Sequence, residues 1–137
     1  MSYLLDTNIV SYLLKGRNTS VENKLRETRR MGQDVFISCI TYYEVKRGLL
    51  YINATRQLTE FNLFYQRYQT LFIDDIEIIE KACEIHAALK RKGTPIQDAD
   101  VLIAATAITR GLILVSNDSD LLRVEGINLQ NWLQTEA

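Results

Sequence analysis

Short apolar runs alternate along the chain with longer segments in which apolar and polar residues are mixed. The short runs are rich in Leu, Ile and Val and give way to polar residues, a pattern typical of β-strands. They occur at 3–6, 35–38, 71–73, 112–115 and 127–129. The run at 112–115 has four consecutive apolar residues, which indicates a strand buried on both faces of a parallel sheet. The run at 127–129 predicts only a weak strand.

The intervening segments carry apolar residues three and four positions apart, as one face of a helix requires. We predict helices at 9–14, 19–31, 40 to about 52, 58–68, 76 to about 92 and 97–108. The helix at 97–108 is apolar almost all round, so it should be buried. Strands that alternate with helices predict an α/β protein, a three-layer α/β/α sandwich on a central parallel sheet. The length suits a single domain over 1–137.

The helix at 76–92 carries the single histidine of the chain, His86. Asp74 and Asp75 precede this helix and are expected to cap it. Its predicted apolar stripe consists of Ile79, Ala82, His86 and Leu89. A lone histidine on such a stripe is expected to be packed or exposed, not catalytic. Near the end of the chain, Trp132 is expected to fold back onto the body.

Composition excludes several classes of protein. The 16 basic and 17 acidic residues give a formal net charge of −1, so nucleic-acid binding would depend on local patches. The two cysteines, Cys39 and Cys83, lie in apolar settings without a Cys-x-x-Cys pattern, which predicts free buried thiols and no zinc site. There is no signal-peptide pattern. The longest apolar run, 101–108, is far shorter than the ~20 residues of a membrane span. We expect a cytoplasmic protein.

Four acidic residues from distant parts of the chain are predicted to meet. Sites in open parallel sheets lie beyond the carboxyl ends of the strands. Asp6 ends the first predicted strand, Glu44 lies one turn into the helix after the second, and Asp118 follows the strand at 112–115. Asp100 lies near the start of the buried helix that precedes that strand. These positions predict an acidic cluster at one edge of the sheet.

Each acid also has a structural interpretation. Asp6 can cap the next helix, and Thr41 with Glu44 forms a capping-box pattern. Residues two apart on a helix point about 200° apart, so only one of Asp98 and Asp100 should face the cluster. Asp98 precedes the apolar run and is better placed as the N-cap. Asp118 and Asp120 are likewise alternatives, and Asp118 is nearer the strand end.

Converging carboxylates repel one another unless a cation balances them. Oxygen ligands of this kind select Mg²⁺ or Mn²⁺. Such a cluster can hold one or two ions and activate water against a phosphodiester. From the residues alone, a metal-carboxylate nuclease remains one interpretation beside a set of structural caps.

The chain resembles the PIN-domain ribonucleases, specifically the VapC-type toxins of bacterial toxin–antitoxin pairs. The matching stretches cover nearly the whole length in the right order. They are Tyr3-Leu4-Leu5-Asp6-Thr7-Asn8, Ile37-Ser38-Cys39-Ile40-Thr41-Tyr42-Tyr43-Glu44 with Gly48-Leu49, Gly93-Thr94-Pro95-Ile96-Gln97-Asp98-Ala99-Asp100 with Val101-Leu102-Ile103-Ala104-Ala105, and Leu114-Val115-Ser116-Asn117-Asp118. Ser116 replaces a threonine that is commoner in the family, and a leucine follows where an aromatic residue is common.

The resemblance implies an endoribonuclease that depends on Mg²⁺, with Mn²⁺ as a substitute. It places the family's four acids on Asp6, Glu44, Asp100 and Asp118, as catalytic residues and metal ligands, with Glu44 binding directly or through water. Supporting roles fall to Thr7, Asn8 and Ser116, which would position ligands or phosphate. The family's acid precedes the x-Leu-Ile-Ala-Ala pattern, which favours Asp100 over Asp98.

The resemblance also implies partners. These are an RNA substrate, in such toxins often a tRNA or ribosomal RNA, and a small antitoxin that covers the aromatic-rich helices at 40–68. A homodimer is implied, joined with the antitoxin in a hetero-oligomer. Basic candidates to hold RNA are Lys15, Arg17, Lys46 and Arg47.

Three alternatives remain open. The first is a PIN-type RNA-processing nuclease without an antitoxin, against which the small size of the chain argues. The second is a non-enzymatic α/β signalling module that uses Asp6 or Asp74 as a phosphoacceptor, although no lysine follows a late strand as that function requires. The third is a nucleotide-binding Rossmann module. Such a module has a Gly-rich loop after its first strand, and this chain has none there.

Overall fold

Five parallel strands form one sheet in the computed structural model, which describes residues 1–16 and 19–133. The strands are β1 (Ser2–Leu5), β2 (Asp34–Ser38), β3 (Gln69–Leu71), β4 (Ile113–Val115) and β5 (Leu129–Gln130). Their order across the sheet is β3-β2-β1-β4-β5. The chain therefore adds β2 and β3 on one side of β1, and then β4 and β5 on its other side. This reversal leaves a crevice at the carboxyl end of β1, where ligands bind in open α/β sheets.

Helices occupy both faces of the sheet. They are α1 (Thr7–Lys15), α2 (Thr19–Arg30), α3 (Cys39–Tyr51), α4 (Thr55–Gln66), α5 (Ile76–Arg91) and α6 (Asp98–Arg110), with a short 3-10 helix at Ser119–Arg123. Within the described residues, no helix is long and apolar enough to cross a membrane.

Side-chain alternation along the strands divides the interior into two cores. Leu4 and Leu114 pack on one face with buried residues of α5 and α6. Leu5 and Val115 pack on the other face with buried residues of α1, α2, α3 and α4. The predicted three-layer sandwich is confirmed.

The third and fifth strands differ from their predicted bounds. β3 ends at Leu71, where the predicted strand begins, because Leu71 pairs with Ser38 and β2 ends there. Phe72 has no strand beside it to extend the ladder and is 63% exposed. β5 begins at Leu129, the last residue of its predicted range, and pairs with β4 through Leu114.

The buried face of α5 is rotated by one residue from the predicted stripe. Its buried residues are Ile78, Ala82, Ile85 and Leu89. Ile79 is 39% exposed, and His86 is exposed. Both stripes have helical spacing, so packing against α6 decided between them.

Local features near the chain ends and helix starts follow the sequence more closely. Asp75 caps α5 by accepting from the Glu77 amide at 2.9 Å, as predicted, whereas Asp74 pairs with Arg110. Trp132 does fold back, since it is 4% exposed and its ring lies 5.4 Å from that of Tyr3.

The two cysteines are free, as predicted, but neither is fully buried. Cys39 is half-buried at the start of α3, and Cys83 is exposed on α5. The expectation that both lie in the interior is wrong for Cys83 because it falls outside the buried stripe of its helix.

Candidate active site

A cleft of about 510 Å³ opens at the carboxyl end of β1. The four acids predicted from the sequence all line it, together with six other residues. The lining consists of Asp6, Thr7, Asn8, Glu44, Pro95, Ile96, Gln97, Asp100, Asp118 and Asp120. Half of the lining residues are acidic. Among the residues that the structure describes, no basic side chain lines the cleft.

Asp6 lies at the bottom of this cleft and is only 3% exposed. Its position follows from the register of the sheet, because Leu5 pairs with Val115 and the next residues, Asp6 and Ser116, lie side by side. Oδ1 accepts from the Thr7 amide at 2.8 Å, which caps α1, and Oδ2 accepts from the Ser116 hydroxyl at 2.7 Å. Asp6 therefore caps a helix and also belongs to the acidic cluster.

The electrostatic environment raises the pKa of Asp6 above its usual value. Burial is the main cause, because it disfavours the charged form. The hydrogen bonds from Ser116 and Thr7 act in the opposite direction, and the charges of Asp118 and Glu44 raise the pKa further. A carboxylate in this environment gains from a nearby cation.

Glu44 reaches the cleft from the second turn of α3. Its Oε1 accepts from the Thr7 hydroxyl at 2.8 Å, and its Oε2 lies 3.9 Å from an Nη of Arg47. The predicted capping box with Thr41 is wrong, because α3 begins earlier and its N-cap is Ser38, which accepts from the Ile40 amide at 3.0 Å. Glu44 is consequently free to point away from its own helix start.

Asp100 faces the cleft from the first turn of α6, whereas Asp98 is exposed and does not line it. The pKa of Asp100 is raised to about 6, first by burial and then by the charges of Asp6, Asp118, Glu44 and Asp120. The prediction that Asp98 is the N-cap is wrong, because Gln97 occupies that position and makes no side-chain capping bond.

Asp118 and Asp120 both line the cleft. The sequence predicts them as alternatives and favours Asp118, whereas the structure places both there. Asp118 caps the 3-10 helix, with Oδ1 accepting from the Asp120 amide at 2.9 Å. The Ser116 hydroxyl accepts from the Asp118 amide at 3.0 Å while it donates to Asp6. One hydroxyl thus holds two acids in place. Asp120 pairs with Arg123 at 3.0 Å.

Three of the four basic residues predicted to hold RNA, Lys15, Lys46 and Arg47, do not line the cleft. Lys46 donates to the Tyr42 hydroxyl at 3.0 Å, and the Arg47 guanidinium lies 4.9 Å from the centroid of the Tyr43 ring. Lys15 lines a neighbouring groove. Arg17 lies outside the described residues.

Sequence reasoning missed two features of the site. Gln97 lines the cleft, and its side-chain amide makes no capping hydrogen bond to α6. Its position directly before Asp98 was the sequence signal that could have identified it. The Thr41 hydroxyl lies 3.0 Å from that of Thr7, a contact between α1 and α3 that no local pattern predicts.

The donors of the cleft have the chemistry that Mg²⁺ requires, since they are carboxylate, hydroxyl and amide oxygens. Within the described residues, no three acidic, histidine or cysteine side chains lie close enough together to hold one ion. Mg²⁺ does not require such a group, because it usually keeps several waters and is bound directly by one or two carboxylates. The remaining acids would then act through water.

A family model, the PIN domain, matches residues 3–127. The chain belongs to the PIN-domain family. This PIN-domain chain is 31% identical over 135 residues to the tRNA(fMet)-specific endonuclease VapC of Salmonella typhimurium, covering 96% of the chain and 98% of the relative. It is 32% identical over 139 residues to the protein of the same name from Shigella flexneri, with the same coverage.

Solved structures agree with these relatives. The PIN-domain chain is similar to a chain of VapBC2 from Rickettsia felis bound to a DNA fragment from their promoter, with a TM-score of 0.89 and 26% identity over 96% of this chain and 99% of that one. It is also similar to a chain of DNA-bound VapBC from Salmonella typhimurium, with a TM-score of 0.86 and 28% identity over 96% and 98%. The resemblance to VapC-type PIN domains is confirmed, which removes the signalling and Rossmann alternatives.

Proposed function

We propose that this chain is a metal-dependent endoribonuclease and the toxin of a type II toxin–antitoxin pair. The observation that carries the proposal is the convergence of Asp6, Glu44, Asp100 and Asp118 on one cleft. Relatives that match almost the full length are named as endonucleases or ribonucleases, among them Ribonuclease VapC1 of Haemophilus influenzae at 28% identity. The proposed reaction is hydrolysis of an RNA phosphodiester.

The acids divide the work in this proposal. Asp6, Asp100 and Asp118 hold Mg²⁺, directly or through its waters, and Mn²⁺ can replace it. The bound cation supplies charge neutralisation at the phosphate and lowers the pKa of a water molecule. Asp6 needs this cation most, because it is the most deeply buried of the four acids.

Hydroxyl groups of the chain hold the acids in place for this task. Ser116 orients Asp6 and the backbone of Asp118, while Thr7 orients Asp6 through its amide and Glu44 through its hydroxyl. Glu44 Oε2 lies 3.9 Å from Arg47, too far for a hydrogen bond. That oxygen can accept a hydrogen bond from the attacking water and orient it. Asn8 lies at the exposed rim, where its amide can contact a phosphate.

The proposed substrate is a transfer RNA. Two full-length relatives carry the name tRNA(fMet)-specific endonuclease. An acidic cleft attracts RNA only when cations neutralise it, and basic residues must hold the flanking phosphates. Lys15 and Arg47 lie on one side of the cleft, since Lys15 lines the adjoining groove and Arg47 lies beside Glu44. Arg123 lies on the other side, beside Asp120.

The antitoxin partner is proposed to occupy a groove that joins the cleft. This groove, of about 300 Å³, shares Thr7 and Glu44 with the cleft. Its other lining residues come from α1, α3 and the start of α4, and they are Ser11, Leu14, Lys15, Val45, Gly48, Leu49, Ile52 and Gln57. An apolar peptide segment seated there would block the acids. The homodimer and its hetero-oligomer with the antitoxin remain predictions.

A matched pair of variants tests the proposed chemistry. Asp100→Asn should lower RNA cleavage by at least ~100-fold, because it removes a cleft carboxylate, whereas Asp98→Asn should change it less than about threefold. Both positions lie in the first turn of α6, so the two variants carry the same change in charge near the same helix end. Cleavage of tRNA and ribosomal RNA by the purified protein, with thermal unfolding as the folding check, provides the measurement.

Metal removal completes this test. EDTA should abolish cleavage, and Mg²⁺ or Mn²⁺ should restore it. Cleavage that persists in EDTA would reject the role assigned to the acids. Equal losses in the two variants would reject the assignment of Asp100.

A further inference from the structure

Thr41 is a fully buried threonine whose hydroxyl contacts another helix. Buried helical threonines usually bond to a carbonyl of their own helix. Thr28 and Thr106 do so, donating to Lys24 O at 2.7 Å and Leu102 O at 2.8 Å. The Thr41 hydroxyl instead lies 3.0 Å from the Thr7 hydroxyl of α1.

Counting hydrogens fixes the direction of this contact. A threonine hydroxyl has one hydrogen to donate, and an ionised carboxylate can only accept. The Thr7 hydroxyl lies 2.8 Å from Glu44 Oε1, so its hydrogen points to Glu44. Thr7 must therefore accept from Thr41, and the hydrogen bonds run from Thr41 through Thr7 to Glu44.

Thr7 is the residue through which Thr41 can act on the site. The Thr7 amide donates to Asp6 at 2.8 Å and its hydroxyl donates to Glu44, so one residue orients two acids. Its amide is fixed by the start of α1, but its hydroxyl direction depends on the side-chain rotamer. We propose that Thr41 is a positioning residue that fixes the Thr7 rotamer and thereby aims Glu44 into the cleft. This proposal rests on the proposed function, because it assigns Glu44 a part in the reaction.

A purely structural role would give a different result. Any buried hydroxyl needs a hydrogen-bond partner. Loss of that hydrogen bond lowers the stability of the protein, whether or not the residue has a part in the reaction. Thr28 supplies the matched control, because it is 3% exposed, lies within a helix and donates its hydroxyl hydrogen to the Lys24 carbonyl of the same helix. Thr28→Val should therefore destabilise the protein as Thr41→Val does, without altering cleavage.

The test compares Thr41→Val, Thr41→Ser and Thr28→Val. Thr41→Val keeps the shape and removes the donor, so kcat for RNA cleavage should fall about tenfold, the scale on which residues that orient metal ligands act. Thr41→Ser restores the donor and should restore most of the rate. In a Glu44→Ala background, Thr41→Val should have no further effect, because Glu44 is the group through which it acts.

Scalar couplings across the Thr7 χ1 bond, measured by NMR, supply a readout that does not depend on activity. Thr7 should occupy one rotamer in the natural protein and in Thr41→Ser, and should average between rotamers in Thr41→Val. A single rotamer in Thr41→Val, or a kcat equal to that of Thr28→Val, would overturn the proposal. If the natural protein cut no RNA, the proposed function would fail, while the Thr7 couplings would still decide the role of Thr41.

Discussion

At the scale of single residues, the site depends on groups that make two contacts each. Asp6 caps α1 through Oδ1 and accepts from Ser116 through Oδ2. A carboxylate has about four acceptor directions, so these two bonds leave room for a cation. The capping interpretation of Asp6, which its sequence position favours, is correct and does not compete with a catalytic one. Ser116 supplies the same donor as the threonine that is commoner in the family.

The raised pKa of Asp100 leads to a prediction about stability and pH. Its pKa is about 6 in the folded protein and 3.8 in a free chain, so between these values the folded state binds more protons than the unfolded state. The contribution of Asp100 to the free energy of unfolding of the metal-free protein should therefore become less favourable as the pH rises from about 4 to about 6. In Asp100→Asn this contribution is absent, so the variant's melting temperature relative to the natural protein should rise over the same range.

Thermal unfolding in EDTA at several pH values measures this difference. A difference in melting temperature that stays constant from pH 4 to pH 7 would show that Asp100 has an ordinary pKa. Asp98→Asn is the control, since Asp98 is exposed and lies outside the cleft. Metal affinity should increase over the same pH range, because metal ligands must lose their protons to bind.

At the scale of elements, the sequence predicts what depends on strand ends and misses what depends on contacts between elements. Asp6 directly follows β1 and Asp118 lies three residues after the end of β4, so the parallel-sheet rule locates both. The start of α3 is different, because Thr41 and Glu44 satisfy a local capping pattern that the protein does not use. The cap falls on Ser38 because β2 ends there. The burial of α5 likewise depends on α6, which a stripe in one helix cannot reveal.

The cap of α3 should matter for cleavage as well as for stability. Ser38→Ala removes the capping bond to Ile40 and should lower the free energy of unfolding by ~1 kcal/mol. Because α3 carries both Thr41 and Glu44, fraying of its first turn should also lower kcat, by about tenfold for a displacement of well under 1 Å. Urea unfolding and RNA cleavage measure the two effects.

Asp75→Ala supplies the matched variant for this comparison. Asp75 caps α5 with a bond of similar length, 2.9 Å against 3.0 Å, but lies outside the cleft. It should lose a similar amount of stability and keep its activity. If both variants lost activity equally, general destabilisation would explain the result, and α3 would have no particular role.

At the scale of the whole molecule, the position of β1 determines where the acids meet. β1 lies between β2 and β4, so residues that follow all three strands share one edge of the sheet. The alternation of strands and helices is enough to predict this architecture. That alternation does not predict the groove beside the cleft. The walls of the groove come from α1, α3 and α4, whose packing depends on tertiary contacts.

The groove should distinguish antitoxin binding from catalysis. Ile52 lines it, is 63% exposed and lies outside the acidic cleft, so Ile52→Glu should fold with the acids in place and still cleave RNA. Burying an isoleucine side chain contributes about 1.5–3 kcal/mol, so a charge in its place should weaken antitoxin binding by at least ~tenfold. Met31→Glu is the control, since Met31 is similarly exposed at 65% and lies beyond the end of α2. Titrating each variant with the antitoxin while following RNA cleavage gives the inhibition constant. Ile52→Glu should resist inhibition and Met31→Glu should not; equal inhibition of both would place the antitoxin elsewhere on the protein.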